Sequence, residues 1–75
     1  MKKIYLEDVL PWFSAGTFVR IQLDENKDRY VFGVTGPECN DDILACVERM
    51  YRKNPEVYEI SHLDGFKKGV ALKVR

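Results

Sequence analysis

The residue pattern predicts a small α+β domain with elements in the order α-β-β-α-β-β, folded as a four-stranded antiparallel sheet with two helices packed on one face. Two segments repeat apolar residues at helical spacing, and four shorter ones alternate at strand spacing. The strands come in pairs around polar or glycine-bounded turns. A chain of 75 residues buries only about 60% of the surface its unfolded form exposes. It therefore holds one modest core in a single domain over residues 1–75, without the depth that a large multistep enzyme needs.

Leu6, Val9, Leu10 and Phe13 recur at i, i+3, i+4 and i+7, the stripe of a short helix lying on a core. Pro11 removes a backbone donor and disfavours helical geometry at Leu10, so this helix is expected to distort or end there. Ser14 to Thr17 reads as a turn. From Thr17 to Leu23 the chain alternates, with Val19, Ile21 and Leu23 on one face and Phe18, Arg20 and Gln22 on the other. After the polar run Asp24 to Arg29, the alternation resumes from Tyr30 to Thr35 with Tyr30, Phe32 and Val34 on one face, which makes an antiparallel hairpin. Gly33 is expected to relieve crowding and Gly36 to permit the turn, and Pro37 cannot donate to a ladder.

The segment NDDILACVERMYRKNP carries the strongest helix signal. Asn40 suits an N-cap, Asp41 and Asp42 suit the positive end of the helix dipole, and Arg49, Arg52 and Lys53 suit its other end. Ile43, Leu44, Val47, Met50 and Tyr51 form the apolar stripe with Cys46 at its margin, and Asn54 and Pro55 stop the helix. Val57 to Leu63 and Val70 to Val74 read as the second hairpin, around a turn bounded by Gly65 and Gly69. An antiparallel sheet with helices on one face leaves its other face in water.

Twelve basic and twelve acidic side chains cancel, which argues against a strongly basic nucleic-acid binder. The zero is uneven. Residues 1–48 hold 5 basic and 9 acidic side chains, whereas residues 49–75 hold 7 and 3, a layout that suggests a charged partner surface. Glu7 and Asp8 interrupt the only apolar run that could imitate a signal peptide, and no stretch reaches the roughly 20 apolar residues of a membrane span. The expected compartment is the cytoplasm. Cys39 and Cys46 are seven positions apart, about 10 Å along one helix and beyond disulfide reach, so both are read as reduced thiols.

No catalytic residue, cofactor site or metal site is expected. His62 is the one histidine, and its neighbour Ser61 points to the opposite face of a strand, so the two form no dyad. Cys46 could meet His62 only through the fold, and a thiol beside a core stripe ordinarily behaves as a small apolar group. Glu38, Asp41 and Asp42 are explained by the helix dipole more simply than by a cation. The spacing of Gly33 and Gly36 imitates a phosphate-gripping loop, but it closes a strand and carboxylates follow it.

The residues left to carry function form a candidate binding surface: Trp12, Arg52, Lys53, Phe66, Lys67, Lys68, Lys73 and Arg75. Phe66 sits in a charged turn, where an aromatic side chain can stack on a base or anchor a protein contact. The plainer reading folds Phe66 back over the sheet and leaves the lysines to keep an edge hairpin unpaired. If Phe18 and Tyr30 shared the open face with Trp12, that apolar patch would mark an interface.

The opening YLEDVLPWFSAGTFVRIQLDEN resembles the start of small uncharacterised proteins from phages and mobile elements of low-GC Gram-positive bacteria, in which a short Leu-rich helix leads through a turn to a V-x-I strand and an acidic loop. The positions that carry the resemblance are Leu6, Asp8, Leu10, Gly16, Thr17, Val19, Ile21 and Asp24. It covers roughly the first third of the chain, and it implies a small accessory protein with no catalytic residues to carry over. The expectation is a non-enzymatic module that binds another protein or itself as a homodimer, with no membrane partner. The alternative is a weak nucleic-acid binder using the basic last third, favoured if the cations converge on one face and disfavoured if Glu56, Glu59 and Asp64 interleave with them.

Overall fold

The computed structural model describes residues 2–24, 28–65 and 69–75. Its elements are β1 (Ile4–Tyr5), α1 (Leu6–Val9), which tightens into a 3₁₀ turn over Leu10–Trp12, β2 (Phe18–Gln22), β3 (Tyr30–Val34), α2 (Cys39–Met50), β4 (Glu56–His62) and β5 (Gly69–Val74). The expected α+β class holds, but the sheet differs from the expected four antiparallel strands. It has five strands in the order β1-β4-β5-β2-β3, and the central pair β2 and β5 runs parallel.

Both departures arise from pairing between segments distant in the sequence. β1 is two residues long, too short to show an alternation, and exists because Ile4 and Tyr5 pair with Val57 and Glu56 far along the chain. The two hairpins join through the first strand of one and the last strand of the other. β5 therefore lies between β4 and β2, and its Gly69, Val70, Ala71, Leu72 and Val74 are all buried.

One face of this sheet carries the core. Val19 and Ile21 of β2, Val31 of β3, Val57 of β4 and Val70, Leu72 and Val74 of β5 cluster with Leu6, Val9 and Leu10 above β4 and with Ile43 and Val47 of α2 above β3. Burying such side chains stabilises the fold by about 1.5–3 kcal/mol each relative to exposure. The expected stripe of the first helix is confirmed, and the α-helical turn gives way to 3₁₀ where Pro11 enters. Gly16, at φ +90°, closes the following turn. There the buried Thr17 and Thr35 hydroxyls both donate to the Ser14 carbonyl, at 2.7 and 2.8 Å, and the Thr17 N–H donates to Thr35 Oγ1. Satisfied buried polar groups of this kind hold the turn to the end of β3.

The second helix begins and ends earlier than its sequence suggests. Asn40 lies inside its first turn and accepts the Gly36 N–H on Oδ1, while its own N–H donates to the Gly36 carbonyl. At the other end the helix stops at Met50, so Arg52 and Lys53 lie beyond it. Tertiary bonds impose that stop. The Leu6 N–H donates to the Pro55 carbonyl at 3.0 Å and the Glu7 N–H to Asn54 Oδ1 at 2.9 Å, which satisfies the first orphan donors of α1 from a segment that must leave helical geometry to reach them.

Gly33 faces the core from β3. A Cβ there would lie 2.7 and 2.8 Å from the Cγ1 and Cδ1 of Ile43, whose side chain is itself buried. Gly33→Ala is expected to cost about 1–3 kcal/mol by overpacking. Ile43→Ala relieves the same clash, so urea unfolding of the double variant should show a loss smaller than the sum of the single losses.

Candidate functional site

The structure brings together part of the sequence-derived surface and separates the rest. Arg52 and Lys53 sit in the loop that follows α2, and Arg75 ends the chain. The Arg75 N–H donates to the Glu56 carbonyl at 2.9 Å, and the same loop is bound to α1 through Asn54 and Pro55. These bonds place Arg52, Lys53 and Arg75 around one shallow depression of about 410 Å³, and Lys3, ahead of β1, joins them. Lys3 is the residue that sequence reasoning missed. Its proximity depends on β1 pairing with β4, and a two-residue strand leaves no pattern to read.

The cations there are partly engaged. The Arg52 guanidinium lies 4.8 Å over the Tyr51 ring and that of Arg75 4.1 Å over the Tyr58 ring, contacts worth about 0.5–1 kcal/mol at exposed sites. Tyr58 projects where a bulge breaks the β4–β5 register between Val57 and Glu59. Glu56 shares the depression, and Lys73 pairs with Glu59 at 3.3 Å. Two of the three carboxylates named as discriminators thus interleave with the cations. The Tyr51 hydroxyl donates to Asp24 Oδ1 at 3.3 Å. Burial raises that phenol above its ordinary value, with Arg52 pulling it down and Asp24 pushing it up.

Trp12 lies elsewhere. It is 59% exposed and lines a depression with His62, Gly69 and Val70, near the end of β4 opposite to Glu56. The seven residues of β4 span roughly 20 Å, so Trp12 and the basic depression are at opposite ends of the sheet. Phe66, Lys67 and Lys68 lie outside the described residues. His62 sits beside Trp12, whereas the Cys46 sulfur packs against Met50 at 3.8 Å. Both cysteines are free. Among the described residues no three His, Cys, Asp or Glu side chains gather to hold a metal, and no helix is long and apolar enough to cross a membrane.

A second candidate surface is the open sheet face. With Val31 and Gly33 turned to the core, Tyr30, Phe32 and Val34 turn outward. The Phe18 and Phe32 rings stack at 6.0 Å, Tyr30 and Phe32 also lie 6.0 Å apart, and Arg20 sits 5.1 Å over Tyr30. Phe32 is 58% exposed and Val34 47%. Phe18 and Tyr30 therefore share the open face, and Trp12 is not with them. The alternation identified the residues of each face of β3; Gly33 is the signal that tells which face is inward.

No protein-family model, curated protein or solved structure matches this chain.

The loop that builds the basic depression yields a direct test. Asn54 holds φ +43° while capping α1. Asn54→Ala loses the cap and strains the backbone, and is expected to cost about 1–2 kcal/mol. Asn54→Gly keeps the backbone accessible and should lose less, as read from urea unfolding midpoints.

Proposed function

We propose that this chain is a non-enzymatic protein-interaction module, an accessory protein acting in the cytoplasm, which holds another protein or a second copy of itself against the open face of its sheet. The observation that carries this reading is the solvent-facing cluster of Phe18, Tyr30 and Phe32 with Val34 at its margin. Aromatic side chains massed on an exposed face favour association, since each can remove a large apolar area from water on docking. Two free thiols suit a reducing compartment, and the resemblance of the first third to phage and mobile-element proteins suits an accessory role.

The basic depression of Lys3, Arg52, Lys53 and Arg75 supports a second reading, weak nucleic-acid binding. It ranks lower because Glu56 lies among the cations and Glu59 engages Lys73.

One experiment separates the two. The immobilised wild type, Phe32→Glu, and an Arg52→Glu/Lys53→Glu variant are exposed to cell extract at low and high salt. The interaction reading expects retained protein that survives salt, is lost with Phe32→Glu and is kept by the charge-reversed variant. Retention of nucleic acid alone, steeply weakened by salt and lost with the charge reversal, contradicts it.

A further inference from the structure

The sheet has two edges of different character. β1 is two residues long and follows Lys2 and Lys3, both devices that discourage strand pairing. β3, the other edge, offers five residues, Tyr30–Val34, with no charge or proline among them. Two bonds flanking β3 fix which of its backbone groups point out. The Thr35 N–H donates to the Thr17 carbonyl at 2.8 Å and the Leu23 N–H to the Arg29 carbonyl at 3.0 Å. Bonded positions alternate along an antiparallel ladder. Val31 and Gly33 therefore aim their main-chain groups at β2, and Tyr30, Phe32 and Val34 aim theirs outward.

The helix above this edge is arranged to match. Asp41, Leu44, Ala45 and Glu48 line a depression with Glu7 and Asn54, which makes that flank of α2 the one turned to α1. At 3.6 residues per turn, the opposite flank presents Cys39, Asp42, Cys46 and Arg49. α1 lies over β4 and α2 over β3, so this flank looks out past the β3 edge. Ile43 sits on Gly33 and the Arg29 guanidinium donates to the Met50 carbonyl. α2 thus runs antiparallel to β3, with its middle above Phe32.

We propose that the β3 edge pairs with the β3 edge of a second copy of this chain, antiparallel about a two-fold axis through Phe32. The inference rests on the interaction reading above and names its partner. In that register Phe32 faces the partner's Phe32 and Tyr30 faces the partner's Val34, and the outward N–H and C=O groups of all three residues are satisfied. The two sheets become one, and the two aromatic clusters merge on its open face. The same axis sets the α2 helices side by side and antiparallel with Cys46 near the centre. Asp42 then faces the partner's Arg49, and Arg49 the partner's Asp42. A two-fold interface must be complementary to itself. The flank meets that condition, since its charges are opposite in sign and their midpoint falls half a residue from Cys46.

Light scattering and sedimentation across roughly 1 μM to 1 mM, the range that brackets weak association, test this pairing. The expected result is a mass that doubles from 8.8 kDa with concentration. Phe32→Lys and Val34→Pro, which alter only the outward side of β3, should stay monomeric while remaining folded by circular dichroism. Asp42→Lys and Arg49→Glu should each weaken self-association at least tenfold, and mixing the two should restore a heterodimer, because both charge pairs are then matched. A wild type that stays at 8.8 kDa to roughly 1 mM, or a dimer that persists in both β3 variants, overturns the proposal. If the chain is monomeric yet still retains a protein through Phe32, self-pairing fails and the interaction reading stands. If it dimerises and retains nothing else, its partner is itself.

Discussion

The close approach of Ile43 to the backbone of β3 decides which way the first hairpin faces. The gap under Ile43 suits a glycine, because a Cβ at Gly33 would come within 2.8 Å of the side chain above it and force Ile43 to shift. Strand residues alternate between faces, so placing Gly33 inward commits Val31 to the core with it and turns Tyr30, Phe32 and Val34 to the outside. By hydrophobicity alone the reverse would be preferred, since two rings and a valine would be buried in place of a valine and a glycine. The helix prevails because its contact with β3 closes the core around Ile43, Val47, Val19 and Val31. The outward aromatic cluster is the consequence of that packing.

Tertiary hydrogen bonds make a comparable decision at the other end of the molecule. Asn54 and Pro55 leave the helix to complete the first turn of α1, a helix of four residues that could not form unsupported. That exit carries Arg52 and Lys53 toward Lys3 and Arg75. The acidic first half and the basic second half of the chain are consequently not two separate poles. Glu56 and Glu59 lie among the cations, and Lys53 stands between the basic depression and one bordered by Glu7, Asp41 and Glu48.

The chain's local patterns make much of this fold legible, and the residues show where legibility stops. Leu6, Val9 and Leu10, the break at Pro11, the stripe of Ile43 and Val47 and the alternation of β2 and β5 are periodic signals, and all are present in the structure. β1, the parallel pairing of β2 with β5, and the end of α2 depend on contacts between distant segments, which no window of sequence contains. The candidate surfaces divide the same way. Arg52, Lys53 and Arg75 are visible as charge, but their meeting with Lys3 depends on β1. Trp12 is visible as an aromatic, but its place beside His62 and Val70 is set by the 3₁₀ turn, and its distance from the basic depression by the length of β4. The outward face of β3 was readable in principle from Gly33, because a glycine in a strand marks a close approach.

The register of β3 is the claim on which the open face and its edge both depend, and residue-resolved amide hydrogen exchange in dilute solution measures it most directly. The structure requires slow exchange at Val31, Gly33 and Thr35, whose N–H groups point to β2, and faster exchange at Phe32 and Val34, whose N–H groups point outward. Slow exchange at Phe32 and Val34 with fast exchange at Val31 and Gly33 would contradict the register, and with it the outward placement of the aromatic cluster.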